Sequence, residues 1–240
     1  MTSERGYDDI AEEYHGFVDA SSVHRVSIPA LVDTCGPGTD VVDLACGDKV
    51  LARRLAATGR RVVGVDRSVR LLGIAEELEA ASPLGIEYRA GDARNLTCLS
   101  DSSYDGVACN LALSDLDDLD SVFASVRRVL RPGGWFAFCA LHPCFQRPGW
   151  PTVNVEGGVA LQVREYFDEG PYEHAADSRV LGRMPWYHRT LSSLLQGLLD
   201  AGFALNAIAE PRPSPDVVAE SPIYAQVATV LVVSALRPAA

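Results

Sequence analysis

The sequence lacks any apolar run near the roughly 20 residues that a bilayer-spanning helix needs, so a membrane span is not expected. It also lacks a basic face. The longest basic clusters are Arg53-Arg54 and Arg60-Arg61, and the formal net charge is −11. Nucleic-acid backbones are held by Lys and Arg, so no nucleic-acid partner is expected. No CxxC pair occurs among the six cysteines, Cys35, Cys46, Cys98, Cys109, Cys139 and Cys144. They read as reduced, mostly buried, small apolar residues, and without zinc-ligand spacing no metal is expected. The opening stretch, Met1–Tyr14, is polar and acidic, which fits neither a secretory signal nor a basic transit peptide. A cytoplasmic location is the resulting expectation. Internal repeats and low-complexity tracts are absent as well.

What is present is an ordinary globular composition. The chain has 240 residues, 48% hydrophobic and 22% charged, enough for a substantial core. Residues 1–240 read as one domain, with an N-terminal helical segment at 1–35 and an insertion at 143–187 that would serve as a substrate lid. In the first segment Ile10, Tyr14, Phe17 and Val18 recur at helical spacing. Pro29 predicts the first turn of a second helix, with Ser27 available to cap it. Strands and helices then alternate: strand Val41–Ala45, helix Val50–Thr58, strand Arg61–Val65, a helix from Ser68 to about Glu79, strand Ile86–Ala90, strand Tyr104–Asn110, helix Leu116–Leu130 and strand Trp135–Leu141. Continuous apolar strands in such alternation predict an α/β fold around a parallel sheet.

Residues 143–187 break this rhythm. They are rich in Pro, Gly and aromatics, including Trp150, Tyr166, Tyr172, Trp186 and Tyr187. A long connection of this composition predicts an ordered, functional insertion. Helix Thr190–Ala201 follows, then strands Phe203–Ala209 and Gln226–Leu236. The proline-rich stretch Glu210–Pro222 between them reads as a loop.

The most informative segment is VVDLACGDK at 41–49. An apolar strand ends in Asp43, breaks into the small-residue turn Ala45-Cys46-Gly47 and opens a helix. The next strand ends in Asp66, about 20 residues past Gly47, the separation expected of an acid that hydrogen-bonds a ribose diol. Small turn residues let a ligand approach the backbone, and the helix N-terminus offers free N–H donors.

This segment resembles motif I of the class I S-adenosylmethionine-dependent methyltransferases. So do GDARNL at 91–96, YDGVACNLAL at 104–113, VLRPGGWFAF at 129–138 and LLDAGF at 198–203. HPCF at 142–145 and YHRTL at 187–191 further resemble its small-molecule branch, of the methyltransferase type 11/25 kind. The resemblance implies a Rossmann-like, doubly wound seven-stranded sheet with the last strand antiparallel. It also implies S-adenosyl-L-methionine as cofactor and a small-molecule acceptor.

By resemblance, Asp43 orders the turn of Ala45 and Gly47 and lies close to the methionine amino group; its plain structural alternative is a helix N-cap. Asp66, followed by Arg67, would hold the ribose, or else cap the next helix. Asp92 and Ala93 would meet the adenine, unless Asp92 merely closes an Asx turn. Asn110 and Leu111 would run beside the methionine part and the reacting methyl. Tyr14 would close over the methionine end, or serve with Tyr7 as an aromatic anchor. His142 and His188 are the candidate catalytic bases; His15, His24 and His174 carry no functional reading.

The pattern departs from the family at Lys49, which stands where a third glycine is usual. Were positive φ required there, lysine would cost on the order of 1 kcal/mol. Lys49 either points to solvent or pairs with the cofactor's carboxylate, or it crowds the sulfonium. The leading expectation is methyl transfer to a small molecule, in a setting such as natural-product biosynthesis. The alternatives are a non-methylating cyclase or isomerase on the same scaffold, or a protein that has lost cofactor binding through Lys49. The sequence leaves the acceptor and the oligomeric state open, a homodimer included.

Overall fold

The computed structural model describes residues 6–47, 50–146, 150–172 and 186–239. A 3-10 turn, Tyr7–Ile10, leads into α1 (Ala11–Ala20) and α2 (Ser22–Thr34). The alternating body follows: β1 (Asp40–Leu44), α3 (Val50–Ala56), β2 (Arg61–Asp66), α4 (Val69–Ala81), β3 (Glu87–Ala90), β4 (Tyr104–Asn110), α5 (Leu119–Val129) and β5 (Leu130–Leu141). The insertion contributes β6 (Thr152–Val155), β7 (Gly158–Leu161), β8 (Gly170–Tyr172) and β9 (Trp186–His188). The chain then returns through α6 (Leu191–Asp200), β10 (Ala204–Ala209), α7 (Pro215–Glu220) and β11 (Val230–Leu236).

Seven strands form one sheet in the order β10-β11-β5-β4-β1-β2-β3. β1 to β5 are mutually parallel, and β11 runs antiparallel to both its neighbours. The fold is thus the Rossmann-like, doubly wound sheet expected from the sequence. Its pleat sorts the side chains onto two faces. Val41, Val62, Ala108, Ala137 and Val232 face the core shared with α2, α3 and α7. Val42, Val65, Val107, Phe136 and Val233 face the core shared with α5 and α6. Strands buried on both faces read as unbroken apolar runs, which is why they were legible. Close approach demands glycine at 106, where an added Cβ would stand 2.1 Å from the Trp135 ring.

Chain direction across the sheet reverses between β1 and β4. Open α/β sheets bind ligands at such a switch point, beyond the carboxyl ends of the strands. Asp43 and Asn110 stand at those two ends.

Four local expectations need correction. α2 is capped not by Ser27 but by Ser21, whose hydroxyl accepts from the His24 N–H at 3.4 Å, and Pro29 lies inside the helix. Proline there removes one main-chain bond, at about 3 kcal/mol; burial of Val26, Ile28 and Leu31 against the sheet outweighs it. α5 starts at Leu119, because Asp118 caps it by accepting from the Ser121 N–H. β5 reaches back to Leu130. Tyr104 pairs with Leu130 and Gly106 with Trp135, so residues 131–134 bulge out of the ladder. The proline-rich 210–222 stretch contains the short helix α7, with Pro215 at its start, where a missing N–H costs nothing.

The inserted strands form two antiparallel pairs, β6 with β7 and β8 with β9. Among the described residues no helix is long and apolar enough to cross a membrane.

Candidate active site

The carboxyl ends of β1, β2 and β4 bring several of the sequence-predicted residues together. β1 passes into Ala45 and Gly47, both with positive φ (53° and 55°). β4 ends at Asn110, followed by Leu111 at φ 58°. Glycine adopts this conformation freely, but Ala45 and Leu111 do so at a cost of about 1–3 kcal/mol each, strain that clusters at functional sites. Asp48 and Lys49 lie outside the described residues, as does His174.

Asp66 is buried and built into the turn. Its Oδ2 accepts from the Gly47 N–H at 2.7 Å and its Oδ1 from the Ser68 N–H at 2.8 Å. Burial raises its pKa, against the pull of these two N–H donors and of the Arg67 backbone N–H. Asp43 is buried too. The Ala52 N–H donates to it, so it does cap α3, while its Oδ2 has no hydrogen-bond partner. Burial holds its carboxyl well above the usual range, and the charge of Asp66 adds to this. Asn110 likewise leaves its buried Oδ1 without a partner.

Asp92 follows β3, beside the end of β2, where the Gly91 N–H donates to the Asp66 carbonyl at 2.9 Å. The Arg94 guanidinium grips Asp92 at 2.6 Å and the Arg94 N–H closes an Asx turn on it, so its pKa is lowered. The neighbouring Ala93 is buried, and its carbonyl accepts from the Ser125 hydroxyl. Tyr14 approaches the turn, its ring 3.6 Å from where a Gly47 Cβ would stand, and packs edge-on against Tyr7 at 4.9 Å.

Each of the two candidate histidines is buried and held by its own partners. His142 follows β5 directly and is buried. Its Nε2 hydrogen bonds Glu210 at 2.7 Å, its Nδ1 accepts from the Cys144 N–H at 3.2 Å, and Phe145 stacks on its ring. Burial lowers its pKa and Glu210 partly offsets this. Both nitrogens of the neutral ring are thereby engaged within the fold.

His188, at the end of β9, is as buried as His142 and borders a small, partly open cleft. The walls are mainly apolar, with Leu113, Leu119, Leu141 and Trp186 among them and Arg189 beside His188. The Tyr166 carbonyl lies 2.7 Å from Nε2 of His188. A carbonyl only accepts, so Nε2 carries the hydrogen and Nδ1 is the basic nitrogen of the neutral ring.

Sequence reasoning missed Asp115. It lies in the 3-10 turn Leu113–Asp115 after β4, and the buried Tyr7 hydroxyl donates to its carboxylate. Burial pushes its pKa up to about 7. No spacing signal separated it from Asp117, Asp118 and Asp120 nearby. Arg189 was missed for a similar reason: its partners are backbone carbonyls, which no side-chain pattern marks.

Comparison with known proteins decides the family. A family model described as a methyltransferase domain matches residues 42–138, from β1 into β5. A solved S-adenosylmethionine-dependent methyltransferase from Mesorhizobium loti is 30% identical and superposes with a TM-score of 0.76, covering 92% of this chain and 100% of that one. The chain belongs to the S-adenosylmethionine-dependent methyltransferases. Ubiquinone biosynthesis O-methyltransferases are also similar. That of Burkholderia thailandensis is 31% identical over 106 residues, 44% of this chain and 46% of that protein. That of Thiobacillus denitrificans is 33% identical over 113 residues, 46% of this chain and 49% of that protein. The chain thus spans about half the length of the curated relatives it matches.

The methyltransferase rim fits the family's cofactor, S-adenosylmethionine. It is rich in buried acceptors, with Asp43 Oδ2 and Asn110 Oδ1 unpartnered, and Asp43, Asp66 and Asp115 all raised in pKa by burial. Such a rim suits a ligand that brings an ammonium, a sulfonium and ribose hydroxyls.

The same rim makes stability pH-dependent. A carboxyl whose pKa is higher in the folded than in the unfolded state binds more protons when folded. Its contribution is therefore fully present below about pH 4 and is lost as pH rises through the folded pKa, about 7 for Asp115. Carboxylates with lowered pKa, such as Asp92 and Asp105, act in the opposite sense at the acid end of the range. Without ligand, urea unfolding is expected to show stability falling between about pH 5 and 7, with a slope on the order of 1 kcal/mol per pH unit from each such group. Asp115→Asn should flatten that slope; an unchanged slope would refute the assignment.

Proposed function

We propose that the protein transfers the methyl group of S-adenosylmethionine to a hydroxyl oxygen of a small, planar or largely apolar acceptor of the kind found among natural products. The observation that carries this reading is the apolar cleft in which His188 has its tautomer fixed by the Tyr166 carbonyl. The bound cofactor supplies a methyl carbon already activated by its sulfonium. The protein's share is to align the acceptor with that carbon, about 3 Å away, and to exclude water.

In this reading Asp66 accepts from the ribose hydroxyls, with Arg67 beside it. The free oxygens of Asp43 and Asn110 receive the methionine ammonium, and Leu111 runs beside the methyl. Ala45 and Gly47 give the backbone its close approach, and Tyr14 covers the methionine end. Asp92 and Ala93 border the adenine, with Arg94 holding the Asp92 carboxylate in place. His188 takes the acceptor's proton. His142, with both nitrogens engaged, positions the start of the insertion instead. Residues 1–240 act as one methyltransferase domain carrying the 1–35 segment and the 143–187 insertion. The names of the similar O-methyltransferases support oxygen as the target atom, and the shortage of basic clusters supports a small acceptor over a nucleic acid.

An assay with label on the transferable methyl, run over a panel of phenols, amines and carbon acids, tests the reading. Labelled methyl ether from a phenol is the expected product. Binding of S-adenosylhomocysteine with no label transferred, but an acceptor isomerised or cyclised, would replace it with the non-methylating alternative.

A further inference from the structure

Two sets of contacts converge on one short turn after β4. From one side comes the N-terminal segment. The Tyr7 hydroxyl donates to the Asp115 carboxylate, which the Ser114 hydroxyl also approaches at 3.4 Å. This segment is fastened along the cofactor rim. Asp8 accepts from the Ser68 hydroxyl at 2.6 Å and the Arg70 N–H at 3.1 Å, two and four residues beyond Asp66. Arg70 pairs with Glu12 at 2.6 Å.

From the other side comes the insertion. Arg189 follows β9 directly, and its guanidinium donates to the carbonyls of Leu113 (3.1 Å), Leu116 (2.6 Å) and Asp117 (2.9 Å). The charge lies over the Tyr187 ring, 5.6 Å from its centroid. β9 is in turn hydrogen-bonded to β8, and His188 is tied to Tyr166. Three charge-assisted bonds, to three carbonyls within the five residues 113–117, hold the turn and β9 as one body. Leu113 and Ser114 also line the acceptor cleft.

We infer that the turn 113–117 couples the N-terminal segment over the cofactor rim to the inserted strand pairs over the acceptor cleft, with Tyr7 and Arg189 as the positioning residues. This rests on the functional reading above. A ligand that seats Tyr14 and Tyr7 fixes Asp115; Asp115 fixes the turn; Arg189 carries that order to β9 and His188. The consequence is cooperative binding, in which cofactor and acceptor each raise the other's affinity by the same factor. Coupling of this kind is a reciprocal free energy between sites and needs a shared element that both contact.

Hydrogen exchange of the full chain with S-adenosylhomocysteine tests this without knowledge of the acceptor. In the unaltered protein, ligand should slow exchange at 41–47 and 61–68 and also, by about 10-fold, at 150–172 and 186–190. In Tyr7→Phe and in Arg189→Met the first effect should persist while the second falls to within about twofold of no change. Arg189→Lys keeps the charge but lacks the planar fork, and should behave like Arg189→Met even where its melting temperature equals that of the unaltered protein. Reading the ligand-induced difference separates coupling from loss of structure. Slowing at the insertion that survives in all three variants overturns the inference, as does slowing at the rim alone in the unaltered protein. No slowing anywhere overturns the cofactor reading and this inference together.

Discussion

Asp66→Asn is expected to weaken S-adenosylhomocysteine binding by about 100-fold or more, measured by titration calorimetry. The carboxylate already accepts from Gly47 and Ser68, one bond to each oxygen. Two carboxylate oxygens offer about four acceptor sites, and with the Arg67 N–H also drawn to this carboxylate at least one remains for the proposed ribose diol. Asparagine keeps the shape but has one oxygen. Its NH₂ would face either the Gly47 or the Ser68 N–H, donor against donor, and the turn would have to yield. Hydrogen bonds to a charged group are worth about 1.5–3 kcal/mol each, so losing one or two moves the constant by roughly one to four decades.

The variant should fold. Burial already disfavours the charged form of Asp66, so a neutral isostere removes that penalty while losing one acceptor. Affinity within about threefold of the unaltered protein, with an intact fold, would move the ribose contact elsewhere. Asp92→Asn serves as contrast. Its carboxylate is committed to Arg94, and its pKa is lowered rather than raised. If the adenine contact uses the second edge of that carboxylate, the loss there should be smaller than at Asp66.

Much of the frame was legible because its physics is local. Val41-Val42 and most of Tyr104–Asn110 are buried, as central parallel strands are, and their short length between turn signals marks them as strands. Asp66 was legible by its distance from Gly47, since the length of one helix and two turns fixes that separation. The parts that escaped depend on long-range packing. Pro29 reads as a helix start, and only contacts from Val26 and Leu31 keep it mid-helix. The strand TVNV at 152–155 is exposed throughout and has no alternation to detect. The Tyr7–Asp115 pair joins residues 108 positions apart. His142 and His188 were equal as sequence, and only the fold shows their separate partners, Cys144 and Glu210 for one and the Tyr166 carbonyl for the other.

That difference sets the second large effect. His188→Asn is expected to lower kcat for a hydroxyl acceptor by about 10²–10⁴-fold, the usual share of a positioned general base. Cofactor affinity should stay unchanged, because His188 borders the cleft lined by Leu113 and Leu141, and not the rim of Asp43 and Asp66. Asparagine can still donate to the Tyr166 carbonyl, so the insertion keeps its tie while the basic Nδ1 is gone. His142→Asn should behave differently. It breaks the bonds to Glu210 and Cys144, and it should lower stability and raise KM more than it lowers kcat. The sharpest discrimination comes from the acceptor's own acidity. A base is needed only while the acceptor holds its proton, so the His188→Asn deficit should shrink as pH rises through the hydroxyl's pKa, and should be small for strongly acidic phenols. A deficit that is constant across pH and across phenol acidity would mean that His188 orients the acceptor without taking its proton, and that the proton leaves to solvent.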